Sequence, residues 1–134
     1  MHIHSYSDLI NAARAQPEPQ RLLFVFARAE LPDGATEDQR LLFEQGEGGA
    51  LAPVLCVDKT PQEAANFQTL IDESARTGMS WDVAFVSTMN GRGGIAPNSD
   101  EAEKPLRLMT EQIQAGIVSQ FIAIDRRGNL LQLA

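Results

Sequence analysis

Residues that carry chemistry are scarce in this chain. One cysteine, Cys56, stands among 134 residues, which excludes an internal disulfide and any dithiol redox couple within the chain. There are two histidines, His2 and His4. That scarcity removes Ser-His-Asp, Cys-His and HExxH chemistry. Two ligands at a chain start also fall short of the four that structural metal sites use, so neither a metal nor a cofactor is expected. Lysine occurs twice, at Lys59 and Lys104, and 18 acidic residues outweigh 11 basic ones for a net charge of −7. Coulomb repulsion makes such a chain a poor partner for nucleic acid or anionic lipid. No apolar run approaches the roughly 20 residues that span a bilayer. The start, "MHIHSYSDLI", has no basic segment followed by an apolar one, so no signal peptide is expected. These absences describe a soluble, acidic, cytoplasmic protein without catalytic residues.

What is present is a regular alternation of periodic segments and turns. With 43% hydrophobic residues, the chain has enough apolar material for one domain, 1–134, that buries about two-thirds of its unfolded surface. A helix should start near Ser5 or Ser7, with Tyr6, Leu9, Ile10 and Ala13 on one face; the prolines of "QPEPQ" stop it. The run 22–27, "LLFVFA", reads as a strand buried on both faces, typical of a central parallel position. "TEDQ" is a capping box at Thr36 and Gln39 opening a short helix, which Gly46, Gly48 and Gly49 should end. A second buried-type strand follows at 52–57, with Pro53 at its start. Thr60, Pro61 and Glu63 form the strongest local helix-start signal. That helix would carry Ala64, Phe67, Leu70, Ile71 and Ser74 or Ala75 inward and finish at Gly78. A third strand covers 81–88. A helix over about 101–117 has Leu106, Met109, Ile113 and Ile117 as its stripe; Pro105 favours a start nearer 103 than 99. A fourth strand, 119–125, and the closing "LLQLA" form an antiparallel hairpin across "RRGN". The order α-β-α-β-α-β-α-β-β implies an α/β domain with a mixed, mostly parallel sheet of about five strands flanked by helices.

The segments "RLLFVFARAELP", "GEGGALAPVLCVDKTP" and "WDVAFVSTMNGRGG" resemble a family of small bacterial proteins often labelled "ribonucleotide reductase subunit alpha". The likeness runs over nearly the whole chain, without a catalytic motif. Catalytic subunits of that reductase work through a thiyl radical and a reducing cysteine pair in chains several-fold longer. With one cysteine, this chain would be at most an accessory protein, and the resemblance supplies no catalytic residue.

Three features are candidates for function. Cys56, inside "VLCVD", should be a buried small hydrophobe of low reactivity. In a mostly parallel sheet, the C-terminal strand ends share one edge, where open α/β sheets bind ligands. That edge would gather Arg28, Asp58, Ser87, Asn90, Arg92 and Arg126. Within it, "NGRGG" opens a polar gap, 90–98. Its glycines suit close approach to an anion, but no lysine-hydroxyl pair follows. Asp100, Glu101 and Glu103 sit at the next helix start, where they would repel phosphate. The gap therefore reads first as a mobile connector and second as a recognition loop. Two functions follow. The chain is a non-catalytic accessory or protein-interaction domain, through a protein partner or a homodimer. Alternatively it binds, or acts on, a small polar or phosphorylated ligand at that edge.

Overall fold

The computed structural model describes residues 3–31, 34–44 and 50–131. His2, the glycines at 46, 48 and 49, and the last three residues of the expected closing strand lie outside them.

Strands β1 (Gln20–Glu30), β2 (Ala50–Lys59), β3 (Val83–Asn90), β4 (Ile122–Asp125) and β5 (Leu130–Leu131) form one sheet in the order β2-β1-β3-β4-β5. Every neighbouring pair is antiparallel. The sheet is therefore not mostly parallel, as the alternation of helices and strands implied. Two helices explain the difference. The one between β1 and β2, α2 (Glu37–Glu44), buries no residue. It decorates a long hairpin connection and does not carry the chain across a sheet face. The one between β3 and β4, α4 (Ser99–Gln114), starts at β2, where its Ser99 hydroxyl donates to Asp58. It ends beside the approach to β4, where Gln120 donates to Gln112. Lying across the strands, it delivers β4 to the sheet end where β3 finished. Only α3 (Phe67–Ala75) makes a crossover between co-directional strands, β2 and β3, and β1 runs between them in the opposite sense.

The period-2 alternation of β1 divides the core. Leu22, Phe24 and Phe26 face α1 (Tyr6–Arg14) and α3, together with Leu9, Ile10, Leu70, Trp81, Val86 and Ile124. Leu23, Val25 and Ala27 face α4, with Phe85, Leu106, Met109 and Ile113. The expected burial of 22–27 on both faces holds. An antiparallel sheet covered by helices on both sides satisfies it as well as a parallel one.

Local signals fare unevenly. Ser5 caps α1, accepting from the Asp8 N–H at 3.1 Å, and the four expected α1 positions are buried. The Thr36–Gln39 box is formed in both directions. The Thr60–Glu63 box is also formed, at 2.9 and 3.1 Å, but it closes a single turn. The helix begins afterwards, capped by Asn66. Pro53 is the fourth residue of β2, beside a bulge at Val54 where the register slips between Phe26 and Ala27. A bulge on an edge strand tolerates the missing donor. The start of α4 is Ser99, not 103, because Asn98 and Glu101 form a reciprocal capping box. Pro105 lies inside the helix and forfeits its bond to the Glu101 carbonyl. Leu106, Met109 and Ile113 are buried as the stripe requires, whereas Ile117 lies beyond the helix and is exposed.

Candidate functional site

Antiparallel pairing splits the six expected ligand residues between opposite ends of the sheet. Arg28 and Arg126 lie where β1 and β4 finish. Asp58, Ser87, Asn90 and Arg92 lie where β1 begins and β2 and β3 finish, as the pairs Leu23↔Asp58, Leu23↔Ser87 and Gln20↔Asn90 show. The two remote arginines are occupied. Arg28 pairs with Glu30 at 2.8 Å in an exposed contact. Arg126 lies 4.9 Å over the Trp81 ring and donates to the Trp81 carbonyl. Trp81 is itself buried and donates its indole N–H to Ser74 at 2.9 Å.

At the β1-start end, Asp58 is a fastener. The Arg21 guanidinium reaches its Oδ2 at 2.5 Å, Ser99 donates to the same oxygen at 2.7 Å, and Arg21 donates to Ser99 and to the Pro97 carbonyl. Burial pushes the Asp58 carboxyl up. The hydrogen bonds from Ser99 and Arg21, with the arginine's charge, outweigh it and hold the group below the usual carboxylate range. A carboxylate so held is a weak base, and Ser99 spends its proton on it. Nothing here resembles an activated nucleophile. On the other face Lys59 pairs with Glu73 of α3 at 2.6 Å. The two charges at the end of β2 thus tie one helix to each face of the sheet. Ser87 is half-buried and lines a separate hollow of about 420 Å³ under α4, with Leu108 and Phe121.

The glycine gap is a built turn. Arg92 and Ile95 exchange both backbone bonds at 3.0 Å around Gly93 (φ 58°) and Gly94 (φ 82°), the positive-φ pair that two-residue hairpins need. Gly91 donates to the Pro19 carbonyl at 2.7 Å, and Gly94 donates to the Glu18 carboxylate at 2.9 Å. Gln20, only 4% exposed, donates to the Asn90 side chain at 2.5 Å and to the Glu18 carbonyl at 3.0 Å. The turn is sewn to the proline linker that follows α1. Between it, the end of α1 and the Thr60 turn lies a cleft of about 560 Å³, lined among others by Pro17, Glu18, Pro19, Gln20, Pro61 and Ala96. Sequence reasoning took "QPEPQ" only as a helix stop. Nothing local in it announces pairing with residues seventy positions away.

Cys56 is exposed, contrary to the expected core position, because among the described residues β2 is an edge strand with β1 on one side only. Among the described residues no group of three or more metal-ligating side chains comes together. No helix among them is long and apolar enough to cross a membrane. No protein-family model, no curated protein and no solved structure matches the chain.

Proposed function

We propose that this chain is a non-catalytic protein-interaction domain that adds a strand of its partner to the open edge of β2. One observation carries this reading: β2 is ten residues long, largely apolar, and bonded to a described strand on one side only. Edge strands are ordinarily guarded by charge, proline or a bulge, since unpaired N–H and C=O groups template another strand. Here Pro53 and the bulge at Val54 guard the first half. The second half, Leu55 to Lys59, has its two charges turned inward to Arg21 and Glu73, and it carries exposed Cys56. Strand addition draws affinity from main-chain bonds and specificity from alternate side chains.

Cys56 makes the edge testable. A bulky maleimide on Cys56 should abolish capture of the partner from native cell extract, and the complex with unmodified protein should slow hydrogen exchange at 55–59. Capture that is indifferent to the block, with exchange at 55–59 unchanged in the complex, would sink the proposal.

A further inference from the structure

We propose that the strand added to β2 carries a large apolar side chain flanked by lysine or arginine, and that this side chain fills a pocket between β2 and α3. It rests on the strand-addition reading and names the chemistry of the added strand. The pocket, of about 190 Å³, is walled by Phe26 of β1, by Leu55 to Val57 of β2, and by Leu70, Glu73, Ser74 and Thr77. Leu55 and Val57 pack with Phe26 and Leu70 on the α1–α3 side of the sheet. One end of the pocket is closed, since Phe26 and Leu70 are 3% and 2% exposed. At the other end Leu55, Val57 and Glu73 are half-buried and Thr77 is exposed. The accessible walls therefore belong to the edge strand and the helix beside it, and no described strand lies beyond β2. A strand paired there sets a side chain on this face about 5 Å from Leu55 or Val57, at the pocket mouth.

The walls select an apolar anchor. The Ser74 hydroxyl donates to the Ile71 carbonyl at 2.8 Å and accepts from the Trp81 indole at 2.9 Å. The Thr77 hydroxyl donates to the Ser74 carbonyl at 2.6 Å. Neither keeps a proton for a ligand, and a charge pushed among Phe26, Leu55 and Leu70 would be buried unpaired. A cavity of about 150 Å³ walled by such side chains admits benzene, so phenylalanine, leucine or methionine fits. Charge sets the flanks. Glu73 is the one charged residue of the lining; no lysine or arginine belongs to it, Arg76 at the end of α3 included. In the pair with Lys59 the carboxylate is the outer member, its side chain 39% exposed against 14% for the lysine. Asp72 beside it is exposed, and the chain carries −7 overall. A basic residue two positions from the anchor lies on the same strand face and complements this rim, where an acidic one is repelled. A second copy of the chain, itself at −7, lacks that complement.

The probe is an acetylated, amidated heptapeptide with phenylalanine at its centre, lysine two positions to either side and threonine elsewhere, titrated into the full chain. It should bind with Kd below about 1 mM, slow hydrogen exchange at 55–59 and shift the methyl signals of Leu55, Val57 and Leu70. Alanine in place of its phenylalanine should weaken binding at least about tenfold, the loss expected for one buried ring. Glutamate in place of both lysines should weaken it about fivefold at low salt, and added salt should shrink that difference. Thr77→Trp, at the exposed lip, should fill the pocket and erase the preference for phenylalanine, with the fold intact by circular dichroism. The free chain should sediment as a monomer. If the alanine peptide protects 55–59 as strongly as the phenylalanine peptide, strand addition stands and the anchor is overturned. If no peptide slows exchange at 55–59, the strand-addition reading fails and takes the anchor with it. Equal binding of the lysine and glutamate peptides overturns the basic flanks. A dimer in which 55–59 are protected gives the edge to a second copy and overturns the proposal.

Discussion

β1 and β2 look alike as strings, "RLLFVFA" beside "APVLCVD", yet they occupy opposite situations. Among the described strands, β1 is the second of five, bonded on both sides and roofed on both faces, and β2 is bonded on one side. All six residues from Leu22 to Ala27 are buried, whereas no residue of β2 is fully buried and Cys56 is exposed. An apolar run reports that a strand meets apolar surface somewhere. It does not report how many neighbours the strand has. That second quantity separates a packing element from a docking element.

The largest effect expected from this contrast comes from its inner member. Phe24→Ala should cost about 3–5 kcal/mol in denaturant unfolding, because its 1%-exposed ring fills the α1–α3 side. Cys56→Ala should stay within about 0.5 kcal/mol of the parent, as for a surface change. Comparable losses at the two sites would erase the distinction. Next in size is Gly91→Ala, where the new methyl meets two backbone carbonyls; overpacking of this kind costs about 1–3 kcal/mol.

Asp58→Asn should cost about 2 kcal/mol by weakening charge-assisted bonds that anchor β1 and α4. Its signature is pH dependence. The folded Asp58 carboxyl lies below its unfolded value, which is about 3.9. Its contribution is therefore complete above that unfolded value and is lost as pH falls through the folded one. The acid limb of the stability curve should flatten in the variant, and an unchanged limb would show that Asp58 is not the fastener. A smaller loss of stability is expected at Thr60, whose box closes one isolated turn. Thr60→Ala should cost no more than about 1 kcal/mol and leave the Asn66-capped helix in place by amide NMR. Loss of α3 helicity would restore a start at Thr60.

Local chemistry was legible in the sequence, and pairing was not. Ser5, Thr36 and Thr60 made the caps their spacing promised, the α1 face was readable from its period of 3.6, and the two-sided burial of β1 from its continuous apolar run. The polar gap was visible too. The helix after Thr60 was misplaced because a capping box nucleates a turn without guaranteeing its continuation; Asn66, a second cap six residues on, was the missed signal. Sheet direction failed for a different reason. A helix between two strands permits a parallel crossover, but α2 buries no residue and α4 lies crosswise. Neither fact resides in their own residues. The site suffered from the same error, since reversing alternate strands carried Arg28 and Arg126 to the far end. The cleft at the opposite end depends on Gln20 meeting Asn90, a contact fixed only by the β1–β3 register.

The openness of β2 is the claim on which the proposed function stands, and hydrogen exchange of the free protein measures it residue by residue. Amides of β1 from Leu22 to Ala27 should exchange only on global unfolding, whereas β2 should alternate, with every second amide between Leu55 and Lys59 exchanging orders of magnitude faster. Uniform protection along β2, equal to that of β1, would mean that the edge is already covered and would contradict the docking role.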